Sequence, residues 1–238
     1  MRTGIIGAME DEVAALKEAM GVRAVTEIAS MEFVEGTLEG QDVVVVRSGI
    51  GKVNAGICAQ ILAQHFQVSR LINTGIAGSL DAGIDIGDMV ISTDAVQHDV
   101  DAETFGYPLG QIPQMDVLAF PADPELVKKA EEANRRANPD IQTFTGRIAS
   151  GDQFIGRQEQ KDRIRDTFHP LCVEMEGAAI AQAAYLNKVS CVIIRAISDK
   201  ADNSAVMDYP AFEKQAIAHS VALVRELMRS LQKHYKKF

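Results

Sequence analysis

Apolar residues recur along this chain in two rhythms. Short unbroken runs at residues 4–6, 43–46, 71–72, 89–91, 171–173 and 192–197, the last broken only by Arg195, have the length and β-branched content of strands covered on both faces. Between them apolar positions fall at helical spacing. Val13, Leu16 and Met20 form one such face, residues 52–66 a second, and Leu126, Val127, Ala130 and Ala133 a third. Phe212, Ile217, Val221, Val224, Met228 and Leu231 form the last. Strands alternating with amphipathic helices predict an α/β fold built on a sheet with helices against it. No linker, repeat or low-complexity tract divides the chain, so residues 1–238 are expected to form a single domain.

The punctuation sharpens these elements. Glu10, Asp11 and Glu12 follow Gly7-Ala8-Met9 as the acidic first turn of a helix. Asp123-Pro124-Glu125 supplies a cap, a first-turn proline and an acid in order, and Asp208 and Pro210 start the last helix the same way. A strand over residues 144–150 precedes a charged segment, 158–168, read as a solvent-facing helix. After Leu71-Ile72-Asn73-Thr74, the small residues Gly75-Ile76-Ala77-Gly78 predict either a tight turn or a close backbone approach, and the strand from Met89 is expected to end near Asp94. Periodicity disappears over residues 98–120, which hold Phe105, Tyr107, Pro108 and Pro113, as in a lid, a binding loop or an interface.

The most informative stretch is Val173-Glu174-Met175-Glu176-Gly177, at the end of one strand and the start of an alanine-rich helix over residues 177–186. In extended backbone its two acids share a face. The helix macrodipole accounts for one acid there, and the second is left over. Polar groups recur at other strand ends: Glu12 after the first, Ser198 and Asp199 after the run at 192–197, with Phe154 on a nearby loop. In open α/β sheets such ends are where ligands bind.

Composition narrows the chemistry. Hydrophobic residues are 47% of the chain, enough for a large core, and a net charge of −9 would repel nucleic acid or a polyphosphate. Cys58, Cys172 and Cys191 have no paired spacing and read as buried thiols of a cytoplasmic protein, and no signal peptide or membrane span is expected. Glycines 49, 51 and 56 miss the dinucleotide spacing, and no Walker-type loop occurs, so no cofactor is expected. The five histidines show no metal-ligand spacing and no Gly-x-Ser-x-Gly occurs, so neither a metal nor a serine triad is expected. Carboxylates beside an aromatic side chain remain. They suit cleavage of a glycosidic bond through an oxocarbenium-like state, with a base activating water and an acid protonating the leaving group.

Seven segments carry a resemblance over nearly the whole chain: GIIGAMEDE at 4–12, SGIGKV at 48–53, NTGIAG at 73–78, FGYPLGQIP at 105–113, SGDQFI at 150–155, VEME at 173–176 and RAISDKAD at 195–202. Together they resemble the 5′-methylthioadenosine/S-adenosylhomocysteine nucleosidases of the purine nucleoside phosphorylase superfamily. The resemblance implies a three-layer αβα sandwich around a mixed, largely parallel sheet, and release of adenine from thio-nucleosides in methionine salvage, with 5′-deoxyadenosine also a substrate. It further implies that Glu12 activates water, that Asp199 protonates adenine N7 with support from Ser198, and that Glu176 and the Met175 backbone bind the ribose. Glu174 and Arg195 line or brace that region, Phe154 stacks on adenine and the Ile155 backbone reads its edge. Met9, Ile50 and Tyr209 form the alkylthio pocket, although relatives often have Phe at the last. Ile76 replaces a serine found in some relatives, so no polar contact is assigned to it. A homodimer is implied, each subunit closing its partner's pocket with the loop holding Phe105 and Pro113.

Three other readings compete: phosphorolysis, hydrolysis of another adenosine-like nucleoside such as aminodeoxyfutalosine, and nucleoside binding without catalysis. Binding alone needs no paired acid and base. Phosphorolysis calls for an anion site in the first strand-to-helix loop, where this chain places Glu10, Asp11 and Glu12.

Overall fold

A computed structural model describes residues 1–200 and 209–232, the side chains of 209–212 apart. In chain order, strand β1 (Thr3–Gly7) leads into helix α1 (Glu10–Glu18), and β2 (Gly21–Ile28), β3 (Met31–Leu38) and β4 (Gln41–Arg47) form an antiparallel meander. Helix α2 (Lys52–Gln64) returns the chain to β5 (Arg70–Ser79) and β6 (Met89–Gln97), followed by the two-residue β7 (Phe120–Pro121) and α3 (Pro124–Ala137). Next come β8 (Thr143–Ser150), α4 (Gln158–Phe168), β9 (Cys172–Glu174), α5 (Gly177–Asn187), β10 (Ser190–Asp199) and α6 (Tyr209–Ser230).

One mixed sheet carries all ten strands. β5 lies at its centre, parallel to β1 on one side and to β10 along its whole length on the other, and it also meets β9 antiparallel at its end. β10 continues through β6 and β8 to β9, so the sheet curls back on β5 while β1, β4, β3 and β2 extend from it. The continuous apolar runs follow from burial on two faces. Ile5, Val43 and Val45 join α1, α3 and α6 in one core, whereas Ile6, Val44 and Val46 join α2 and α5 in another. This is the expected αβα layering in a single domain.

Two local readings change, one of two alternatives is decided, and one hairpin was not anticipated. The β2–β3 hairpin carries no turn signature, because Ala29 and Ser30 adopt positive φ (52° and 58°) where Gly or Asn would announce the turn. Gly75 to Gly78 do not turn: β5 runs through to Ser79. β6 continues past Asp94, which stays in the strand because Arg147 of β8 donates to both its oxygens at 2.7 and 2.9 Å. Helix α4 is not wholly solvent-facing, since Lys161, Ile164 and Phe168 are buried.

Candidate active site

The sheet's central strands end around a cleft of about 830 Å³, counting the space at its mouth. β1, β5, β9 and β10 all deliver residues to it, with the loop after β8 forming one wall.

Glu12 is the third residue of α1 and 3% exposed. Its Oε2 accepts from the Ala8 and Met9 backbone at 2.7 and 2.9 Å, so it caps its own helix, and its Oε1 accepts from Ile76 N at 3.2 Å. Burial pushes its carboxyl above the ordinary value, against the pull of Arg195 and these amides.

The acid pair at the β9–α5 junction divides its work. Glu174 accepts from the Glu176 and Gly177 backbone at 3.1 and 2.8 Å, from Ser150 Oγ, and from the buried Arg195 guanidinium. It is therefore the acid that the helix terminus and the ion pair require. Glu176 is the one left over. Its Oε1 accepts from Gly51 N at 2.9 Å, its Oε2 lies 3.6 Å from Arg195 Nη2, and burial together with the Glu174 charge pushes its carboxyl up to about 7. Arg195 also donates to Asn73 Oδ1 at 2.6 Å. Three buried carboxyl groups thus face one guanidinium, whose charge works against the burial that raises Glu12 and Glu176.

Asp199 reaches the cleft through an irregularity. Along β5, Ile197 pairs with Ala77 and Asp199 with Gly78, so Ser198 is the extra residue of a bulge, and both Ser198 and Asp199 line the cavity. Ser198 Oγ donates to Asp199 Oδ1 at 3.2 Å, and Lys161 Nζ lies 3.4 Å from Oδ2. A Cβ on Gly75 would stand 2.5 Å from Glu12 Oε1, and one on Gly78 would stand 2.9 Å from Asp199 Oδ2. The two carboxylates thus lie against positions three residues apart on one strand, and both line the cleft.

Met9, Ile50, Phe154, Ile155 and Met175 line the same cleft, Phe154 with 77% of its surface exposed. Phe105 (81% exposed) and Pro113 stand outside it, and the side chain of Tyr209 lies outside the described residues. Two contributors escaped the sequence reading. Gln153 adjoins Phe154 in the wall, and Lys161 belongs to a helix whose composition reads as surface.

A profile of the phosphorylase superfamily matches residues 2–229. The 5′-methylthioadenosine/S-adenosylhomocysteine nucleosidase of Geobacillus sp. (strain WCH70) is 44% identical over 98% of this chain and 100% of its own. The crystal structure of the Neisseria meningitidis enzyme of that name, in complex with methylthio-immucillin-A, superposes with a TM-score of 0.91 at 39% identity, covering 97% of this chain and 99% of that one. Futalosine hydrolase of Helicobacter pylori strain 26695 superposes with a TM-score of 0.90 at 32% identity, over 97% and 98% of the two chains. Identity of this extent, on a fold whose strand ends gather these carboxylates, means that the chain belongs to the 5′-methylthioadenosine/S-adenosylhomocysteine nucleosidases, N-ribosyl hydrolases of the phosphorylase superfamily.

Proposed function

We propose that this enzyme hydrolyses the N-glycosidic bond of 5′-methylthioadenosine and S-adenosylhomocysteine, and of 5′-deoxyadenosine, in cytoplasmic methionine salvage. The observation that carries the reading is the pair Glu12 and Asp199, anchored over Gly75 and Gly78 of one strand. In this mechanism Glu12 Oε1 takes a proton from water as the water attacks C1′. The electron pair of the breaking bond goes to the purine, whose N7 receives the proton of Asp199, steadied by Ser198. Glu176 accepts from the ribose hydroxyls beside the Met175 backbone, and its bond strengthens as positive charge grows on the sugar. Glu174 and Arg195 brace this carboxylate without touching substrate. Phe154 covers the adenine, the Ile155 backbone reads its edge, and Met9, Ile50 and Tyr209 receive the alkylthio group. Phe105 and Pro113 close that pocket in the partner of a homodimer.

Hydrolysis is favoured over phosphorolysis by the first loop. The amides at the α1 N-terminus are the natural seat for an anion, and Glu12 Oε2 already occupies those of Ala8 and Met9. The expected outcome is adenine and free methylthioribose from 5′-methylthioadenosine, at a rate indifferent to phosphate. Ribosyl 1-phosphate as the main product would overturn it. Glu12→Gln should lower kcat by roughly 10²- to 10⁴-fold, the range for a positioned base. Likeness to a futalosine hydrolase makes aminodeoxyfutalosine the substrate to run in parallel.

A further inference from the structure

Helix α4 carries its charges outward with one exception. Glu159 and Asp166 face solvent, whereas Lys161 is turned inward at 2% exposure, on the same side as Ile164 and Phe168. A methionine or leucine would fill that position at less cost, because an ammonium is strongly hydrated and loses that hydration on burial. Part of the cost is met at the end of β10. Lys161 Nζ donates to the Lys200 carbonyl at 2.7 Å and lies 3.4 Å from Asp199 Oδ2. With Ser198 Oγ donating to Oδ1, the carboxyl group of Asp199 is held from both sides. The backbone just beyond is held by the same ammonium.

We propose that Lys161 is a positioning residue for the reaction: it fixes the orientation of Asp199 through Oδ2 and stabilises the carboxylate that Asp199 becomes when its proton passes to the leaving purine. The proposal rests on Asp199 being the acid, as argued above. In its proton-donating form Asp199 carries no net charge, so its attraction to the ammonium is weak. Afterwards the bond pair has gone to the purine, N7 holds the proton, and an anionic carboxylate faces a buried cation. The interaction therefore strengthens along the reaction coordinate, the condition for raising kcat rather than tightening substrate binding. The other charged groups of the cleft, Glu12, Glu176 and the Glu174–Arg195 pair, are engaged with the α1 and α5 termini and the Gly51 and Ile76 amides. Lys161 is the cation placed on the acid itself.

The test is a double-mutant cycle on the full chain, with Lys161→Gln, Lys161→Met and Lys161→Arg made in the wild-type and Asp199→Asn backgrounds. Hydrolysis of 5′-methylthioadenosine is followed by adenine release, and folding by thermal unfolding. Lys161→Gln and Lys161→Met should lower kcat roughly 10- to 100-fold, at or below the loss for an oxyanion donor because Asp199 is partly solvated, with KM nearly unchanged. Lys161→Arg should recover most of the loss. In the Asp199→Asn background the neutral substitutions should add little, since no carboxylate remains to be stabilised. Wild-type kcat in Lys161→Gln, or the same proportional loss with and without Asp199, would overturn the proposal. So would failure of both neutral variants to fold, which would make the ammonium a structural group only. Full activity in Asp199→Asn is a separate outcome: it would overturn the assignment of the acid, whereas an impaired Asp199→Asn beside an unimpaired Lys161→Gln would remove only the role of Lys161.

Discussion

A methyl group on Gly75 would stand 2.5 Å from Glu12 Oε1 and nearer still to the Arg195 guanidinium, so strand β5 has to lack a side chain at that position. Gly75→Ala is expected to abolish most activity by displacing the base, while Gly56→Ala, whose Cβ would meet nothing within 4 Å in helix α2, should be neutral or stabilise by about 0.5–1 kcal/mol. Kinetics and thermal unfolding of the two variants check the contrast. Glu176 offers a second test at this scale. Its carboxyl is raised from 4.5 to about 7, so the folded protein holds that proton more tightly than the unfolded chain does. The stabilisation from holding it is complete below about 4.5 and is lost as pH rises through about 7. Binding the ribose needs the ionised form, so kcat/KM should climb over the window in which stability falls. Profiles of kcat/KM and of Tm against pH should slope in opposite directions there, and Glu176→Gln should remove that part of the Tm slope.

At the scale of elements, helix termini do much of the arranging. Asp123 caps α3 by accepting from Glu125 N and Leu126 N at 2.9 and 3.1 Å and also takes Ser190 Oγ at 2.6 Å. Asp123→Ala should cost about 1 kcal/mol, a Tm loss of about 2–4 °C for a chain of this size, and leave kcat intact. Calorimetry beside an activity assay separates the two effects. That cap was legible in the sequence because its signal is local, as were the buried strands, whose residues need only be apolar and β-branched. The presence of two acids at residues 174 and 176 was legible too, but not which would be consumed by the helix, because that depends on Arg195 arriving from β10. The bulge at Ser198 and the inward turn of Lys161 were not legible. Both are fixed by what lies across from them, and neither leaves a mark in the spacing of its own segment. The β2–β3 hairpin stayed hidden because its turn uses Ala and Ser in a conformation usually given to Gly or Asn.

At the scale of the molecule, Val53 and Ile57 of α2 and Leu186 of the adjacent α5 are exposed, and so are Ile50 and Phe105. Apolar surface of this kind supports the proposed homodimer. Phe105→Ala is expected to weaken association in sedimentation experiments and to raise KM for 5′-methylthioadenosine more than for adenosine, since the loop would contact the alkylthio group that adenosine lacks. A fully active monomer at assay concentration would remove this part of the proposal.

The central position of β5 bears on how the protein is made. Residues 70–79 find their neighbour on one side within the first half of the chain, in β1, but the strand on the other side is encoded some 120 residues later, since Arg70 pairs with Ser190. During translation β5 is therefore an apolar edge waiting for its second long partner while the intervening polypeptide is synthesised, a state open to pairing with another nascent chain. Glu12 can be held in its helix cap early, whereas Glu174, Glu176, Arg195 and Asp199 arrive only with β9, α5 and β10, so the cleft gathers its acids only after those elements are made.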